Sequence, residues 1–378
     1  MKVIHYILNF IKKETVLFAA LILAAVSCFF VPPDSHYIGY IDFRTLAILF
    51  CLMAVMAGLR KIGVFDTLAR RLLERVKSFK AVVFILWVLC FVFSMFITND
   101  VALITFVPLT IVILRMLGEK VRDKWLIPIV TMQTIAANLG SMLTPIGNPQ
   151  NLYLYGKANM DIGDFLLIML PYSVLAFALL AVWNVIICRK EKSAPTVDFG
   201  ERKPLSDKKK LIGYIALFVV CLLTVAHIVP YYATLALTAL YLLIFDRAVF
   251  KKVDYSLLFT FVGFFVFVGN MGRIDVFRDF IESVISGNEI AAAVISSQVI
   301  SNVPAALLLS GFTENLRALI IGTNIGGLGT LIASMASLIS YKYVCGENKS
   351  AKLKYLGFFT AANIGFLGFM ALLSLFMP

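Results

Sequence analysis

Residues 97–103 read Ile97-Thr98-Asn99-Asp100-Val101-Ala102-Leu103, and three polar residues here stand between two apolar runs, Phe79–Ile97 and Val101–Leu117. Each run is long enough as a helix to approach the ~30 Å hydrocarbon core of a bilayer. Asp100 is the only acid between Glu74 and Glu119. Holding a carboxylate so deep in an apolar segment costs at least about 2.5–3.5 kcal/mol, and such residues are functional by default. Both outer ends of the pair are basic. Two full crossings joined by a polar tip would fit. A re-entrant hairpin over 79–117 fits as well, and an internal repeat favours it.

The rest of the chain is equally apolar. Hydrophobic residues make up 61%, charged residues 15%, and mean hydropathy is +0.92. A soluble domain carries about 25% charged residues, so the lipid bilayer is the expected surroundings. The apolar runs are continuous rather than alternating, which excludes a β-barrel. The net charge of +12 does not indicate nucleic acid, because of where the charges sit. If the ends of the apolar segments are assigned alternately to two sides, 29 of the 34 Lys and Arg fall on one. Arg44, Lys157, Arg273, Arg278 and Arg317 remain for the other. The positive-inside rule then predicts an inner-membrane, multi-pass protein with its N-terminus in the cytoplasm and its C-terminus outside. The six cysteines show no metal-site spacing, and no cofactor is expected.

The order of segments predicts an all-α polytopic membrane protein with about nine transmembrane helices plus two hairpins. An interfacial helix covers 1–13. A first unit covers 14–188, with its hairpin at 79–117 and a broken helix at 124–155. A charged linker at 189–210 contains Pro195, Gly200 and Pro204, and a connecting helix follows at 211–230. A second unit covers 231–378, with a hairpin at 289–313 and a broken helix at 315–341. The units match in sequence. Ile41-Asp42-Phe43 aligns with Val253-Asp254-Tyr255 at an offset of 212. At an offset of 186, Asn138, Gly140, Thr144 and Ile146 match Asn324, Gly326, Thr330 and Ile332. The extra connecting helix flips the second unit, so the two repeats are expected to be inverted. Inverted repeats with paired broken helices mark a secondary transporter with a midplane site.

Interrupted helices survive in hydrocarbon only where they line a cavity. The residues at the four interruptions are therefore the candidates for substrate binding. They are Thr98 and Asn99 at the first tip, Asn138, Gly140, Thr144 and Asn148 in the first broken helix, Ser301 and Asn302 at the second tip, and Asn324, Gly326 and Thr330 in the second broken helix. Freed N–H groups attract anions, and freed carbonyls with Asn, Ser and Thr oxygens bind small cations. The first break is read as opening at Asn138-Leu139-Gly140-Ser141, the second at Gly322-Thr323-Asn324. Asn99 or Asp100, and Ser301 or Asn302, are candidate caps for the outgoing half-helices, with Pro304 tolerated in a first turn. Simple capping explains the asparagines nearly as well as ligand contact. Arg60 and Lys61 are expected to end a helix at the membrane surface.

The tip 97–103, with Asn138-Leu139-Gly140-Ser141 and Thr144-Pro145-Ile146-Gly147-Asn148-Pro149-Gln150-Asn151, resembles the ion-transporter superfamily over essentially the whole chain. That group includes arsenical permeases, citrate–metal symporters and divalent-anion/sodium symporters. The resemblance implies an elevator mechanism and leaves a homodimer through the scaffold open. Carboxylate carriers of the superfamily use Ser-Asn-Thr at both tips. Here the tips read Thr98-Asn99-Asp100 and Ser301-Asn302-Val303, which is similar to the arsenical-permease branch. Asp100, with Asn99 and Asn302, then resembles an ion-coupling set for proton or sodium. The expected function is cation-coupled transport of a small anion or metalloid oxyacid, of the arsenite or carboxylate class. A sodium/proton antiporter is the alternative within transport. A membrane enzyme or receptor is the alternative from another class. No nucleophile–base pair or metal cluster supports it, so no enzyme is expected.

Overall fold

A computed structural model of the chain describes residues 14–74, 76, 78–189, 191 and 207–377. The segment 1–13 and most of 189–210 lie outside the described residues. Every element among those described is helical. The first half runs α1 (Thr15–Phe30), α2 (His36–Tyr40), α3 (Phe43–Ile62), α4 (Val64–Leu73), α5 (Phe79–Ile97), α6 (Asn99–Met116), α7 (Glu119–Ser141), α8 (Pro149–Ala158) and α9 (Ile162–Ile187). The second half runs α10 (Lys208–Val225), α11 (Tyr231–Phe245), a 3-10 turn (Arg247–Lys252), α12 (Tyr255–Gly272), α13 (Asp275–Ile285) and α14 (Glu289–Ile300). It ends with α15 (Asn302–Leu309), α16 (Leu316–Ile325), α17 (Met335–Glu347) and α18 (Lys352–Phe376).

Six of these helices, α3, α5, α6, α9, α12 and α18, are long and apolar enough to cross a bilayer, and α1, α11 and α16 are shorter apolar helices. Length and composition alone thus support fewer crossings than the nine expected. The arms of the two hairpins also differ. Those of the first have 19 and 18 residues, those of the second 12 and 8. α18 buries 22% of its apolar window and α9 buries 33%, against 67% for α3. Leu167, Val174, Leu375 and Phe376 stand exposed on the first two. An apolar face of that size belongs against lipid, and the chain is a multi-pass membrane protein.

The helices pack in two groups. α5 lies along α7, α14 along α16, and α17 against α6 and α7, while α9 and α18 pack on α7 and on each other. α1 lies along α12, and α10 and α11 along α3. The connecting helix begins at Lys208 rather than 211. Asp207 caps it by accepting from Lys209 N at 3.0 Å and Lys210 N at 3.1 Å. α3 and α12 share one cap geometry. Asp42 accepts from Thr45 N at 2.9 Å, and Asp254 from Leu257 N at 3.0 Å.

Both breaks begin later than the sequence suggests. α7 is continuous through Ser141 and α16 through Ile325, so Gly140 is helical and Gly326 is the cap that ends α16. Glycine serves close approach there, not chain reversal. A Cβ on Gly140 would lie 2.1 Å from Phe91 O of α5, and one on Gly326 would lie 2.8 Å from Ser297 Oγ of α14. In both halves a hairpin arm and a broken helix touch through a glycine.

At the end of α17, Arg115 binds Glu347 through two bonds, at 2.8 Å and 2.5 Å, and Arg122 lies 3.6 Å away. The Arg115 guanidinium holds the Glu347 carboxyl below its ordinary value. This stability is fully present above the unfolded glutamate value, about 4.3, and is lost as pH falls through the lowered folded one. Melting curves in detergent are expected to lose part of their acid-side decline in Glu347→Gln. An unchanged acid limb would count against the ion pair.

Candidate functional site

The two breaks face one another. Asn138, in the last turn of α7, accepts from Asn99 Nδ2 of the first tip at 3.1 Å and from Ser334 Oγ of the second break at 3.1 Å. Its own Nδ2 donates to Gly327 O at 3.4 Å. Asn324, in the last turn of α16, accepts from Asn148 Nδ2 at 3.1 Å and donates to Asn151 Oδ1 at 2.6 Å. Asn138 and Asn324 are 186 residues apart, and so are Asn148 and Ser334. The residue that follows each break therefore donates to the asparagine that precedes the other. All of these side chains are buried.

The tips enter the same network. Asn99 Oδ1 accepts from the adjacent Asp100 N at 2.9 Å, but the cap positions themselves carry no side-chain cap. Thr98 and Ser301 hold the cap positions at φ 71° and φ 74°, with no side-chain cap bond. Such backbone costs on the order of 1–3 kcal/mol per residue and persists where the surroundings enforce it. Here the next N–H does the enforcing. Asn99 N donates to Gly147 O at 3.2 Å, and Asn302 N to Ala333 O at 3.0 Å. Asn302 also lies against Gly327, where a Cβ would come 2.9 Å from its Nδ2. Asn99, Asn138, Asn302 and Asn324 are thus gathered at one place.

The remaining candidates are engaged elsewhere. The Thr144 hydroxyl donates to Met95 O and the Thr330 hydroxyl to Gln298 O at 3.2 Å, so both tie a break to a hairpin arm. Gly140 and Gly326 belong to packing. The supply of amide donors differs between the halves. Gln298 Nε2 reaches Gly326 O at 3.0 Å and Leu328 O at 2.9 Å, and its Oε1 accepts from Thr330 N at 2.9 Å. Met95, at the corresponding place in the first half, has no amide. Asn151 takes over, and its Nδ2 faces the carbonyls of Ser141, Met142 and Thr144 at 3.5, 3.4 and 3.3 Å.

Thr98, Asp100, Asn148 and Pro149 line a cavity of about 450 Å³. Arg60, Lys61, Lys252 and Asp254 stand on its wall. Arg60 and Lys61 therefore border the site instead of merely ending a helix. Lys61 also pairs with buried Asp246 at 2.5 Å. Asp100 Oδ1 is buried with no hydrogen-bond partner among the described residues, and no ion pair holds this carboxylate there. A second cavity of about 340 Å³ is lined by Tyr40, Asp42, Arg44, Tyr153, Gly156, Lys157 and Phe265. At the offset of 212, Tyr40, Asp42 and Phe265 correspond to Lys252, Asp254 and Met53 of the first cavity. α8 borders both, with Asn148, Pro149 and Leu152 toward one and Tyr153, Gly156 and Lys157 toward the other. Ser310 binds the Tyr153 hydroxyl at 2.9 Å and accepts from Lys157 Nζ at 2.6 Å.

Sequence reasoning missed Arg60, Lys252, Asp254 and Ser334 as neighbours of the site. Asp254 was within reach, because it already stood aligned with Asp42. No group of three or more potential metal ligands occurs among the described residues.

Interrupted helices that meet over buried asparagines, between two cavities, define a membrane transporter. The citrate transporter family model matches residues 6–316, and the chain belongs to that family, within the ion-transporter superfamily. Over 320 residues it is 34% identical to an uncharacterized transporter of Methanocaldococcus jannaschii, with 84% of this chain and 85% of that protein covered. It is 30% identical to the inner membrane protein YbiR of Escherichia coli over 332 residues, covering 86% and 87%. The P protein of Mus musculus is 27% identical over 177 residues, covering 43% and 20%.

Proposed function

We propose that this transporter is a cation-coupled secondary carrier of a small oxyanion, of the carboxylate or metalloid-oxyacid class. The observation that carries the reading is the meeting of both breaks and both tips in one asparagine network beside an open cavity. The first turns of α6 and α8 border that cavity through Asp100 and through Asn148 and Pro149. Arg60 and Lys252 on its wall raise the local anion concentration. Asp100 is the coupling group, neutralised by a proton or by sodium, and Asn99 and Asn302 fix the tips around it. The two halves act as inverted repeats with re-entrant hairpins, and their corresponding cavities serve the two sides in turn. The group built from the hairpins, the broken helices, α9 and α18 moves as an elevator against α1, α3, α10, α11 and α12. In this reading the N-terminus is cytoplasmic, the membrane is the inner one, and the scaffold supports a homodimer.

The test is uptake by proteoliposomes offered citrate, succinate, sulfate, phosphate and arsenite, under imposed pH or sodium gradients. Gradient-driven accumulation of at least one of them is expected. The presence of Asp254 in the same cavity as Asp100 favours one second reading, sodium/proton exchange. Sodium-dependent proton flux with no oxyanion present, and no uptake of any of the five, would replace the first reading by the second.

A further inference from the structure

We infer that the amide of Gln150 is a binding group for the carried oxyanion, used when the carrier opens toward the cavity of Asp42, Arg44 and Lys157. This rests on the oxyanion reading above and adds a residue and a side to it. Gln150 is 1% exposed, in the first turn of the ten-residue α8. Its Nε2 and Oε1 are both buried with no partner, and no other amide among the described residues is orphaned at both atoms. Its neighbours are engaged. Asn148 donates to Asn324 and Ser141, and Asn151 serves Asn324 and the carbonyls of the first break.

An orphaned buried amide is destabilising, and leucine or methionine would fill the same space without that cost. The amide is therefore retained for something that binds it. Its direction follows from helix geometry. Residues three, four and seven apart share a face, so Gln150 lies beneath Tyr153 and Lys157, just outside the wall of the second cavity that those two line. It sits one turn deeper than Tyr153, at the inner end of a stripe that runs Lys157, Tyr153, Gln150. Ser310 bridges Tyr153 and Lys157 above it, so the stripe is closed here. The chemistry fits an oxyanion that carries one protonated oxygen. The amide N–H donates to a charged oxygen, and the amide oxygen accepts from a hydroxyl.

The experiment uses purified full-length Gln150→Leu and wild type, with citrate, sulfate and arsenite as probes. Melting temperature is followed against probe concentration, and initial uptake rates are measured with the probe on each side of oriented proteoliposomes. Gln150→Leu is expected to melt several degrees higher than wild type without probe. It is expected to bind the stabilising probe roughly 10- to 100-fold more weakly. The KM should rise from the side of the second cavity and change little from the other. If the leucine variant does not fold, Gln150→Met, which also removes the amide, is read the same way. Unchanged affinity on both sides, with wild type still stabilised by a probe, overturns this inference alone. A wild type that no probe stabilises and that takes up none of them overturns the oxyanion reading, and this inference with it.

Discussion

Asp100→Asn is expected to fold and to exchange substrate, while gradient-driven accumulation falls to the level of protein-free liposomes. The carboxylate borders the cavity, its Oδ1 is buried without a partner, and no cation pairs with it among the described residues. An ionised carboxylate cannot stay unneutralised in such surroundings without a penalty of several kcal/mol. In the proposed mechanism a proton or a sodium ion removes that penalty and so ties substrate movement to itself. Asparagine keeps the size and removes the charge, so the empty carrier no longer needs the ion. Capping cannot account for the residue, because Thr98 holds the cap position and the Asp100 side chain makes no cap bond. Counterflow, which moves loaded carriers in both directions, should continue in the variant. Wild-type accumulation by Asp100→Asn under a pH or sodium gradient would remove Asp100 from coupling.

The second large effect is structural. Gly140→Ala should destabilise the protein by about 3 kcal/mol and Gly326→Ala by about 1–2 kcal/mol, the range seen for overpacked cores. In an exposed helix the same change would stabilise by roughly 1 kcal/mol, so the sign itself is diagnostic. At Gly140 the new methyl would meet the Phe91 carbonyl at 2.1 Å, and backbone cannot turn away. At Gly326 it would meet the Gly322 carbonyl at 2.7 Å and the Ser297 hydroxyl at 2.8 Å; the hydroxyl can rotate, which softens that contact. Because α5 and α14 carry the tips, pushing either arm outward also pulls Asn99 or Asn302 from its bond to the break of its own half. Transport should drop with stability in both variants. A Gly140→Ala protein as stable as wild type in thermal or denaturant melts would contradict the packing described.

Much of this was legible in the sequence. Asn99, Asn138, Asn302 and Asn324 were conspicuous as polar side chains in apolar runs, where burial without partners is costly. The offset of 186 tied Asn138 to Asn324, and the two hairpin tips placed Asn99 opposite Asn302. Boundaries were less legible. Gly140 was read at the opening of a break because glycine marks both backbone freedom and close approach, and only the neighbouring helix distinguishes the two. The threonines had the right chemistry, yet their hydroxyls are turned to Met95 O and Gln298 O. Arg60, Lys252 and Asp254 looked like ordinary segment ends. They became cavity residues through packing between distant segments, which a local pattern does not encode. Gln150 stood in plain view within Asn148-Pro149-Gln150-Asn151, but nothing along the chain separates an amide with a partner from one without.

The different amide donors in the two halves bear on how such carriers can be recombined. In the first half the donor, Asn151, belongs to the broken helix itself, whereas in the second the donor, Gln298, belongs to the hairpin arm. Transplanting the first hairpin onto the second break would strip the Gly326 and Leu328 carbonyls of their amide donor. The reverse graft would crowd two amides onto one set of carbonyls. A hairpin and its broken helix therefore form one inheritable module, and chimeras between relatives should be cut outside that pair, never between its members.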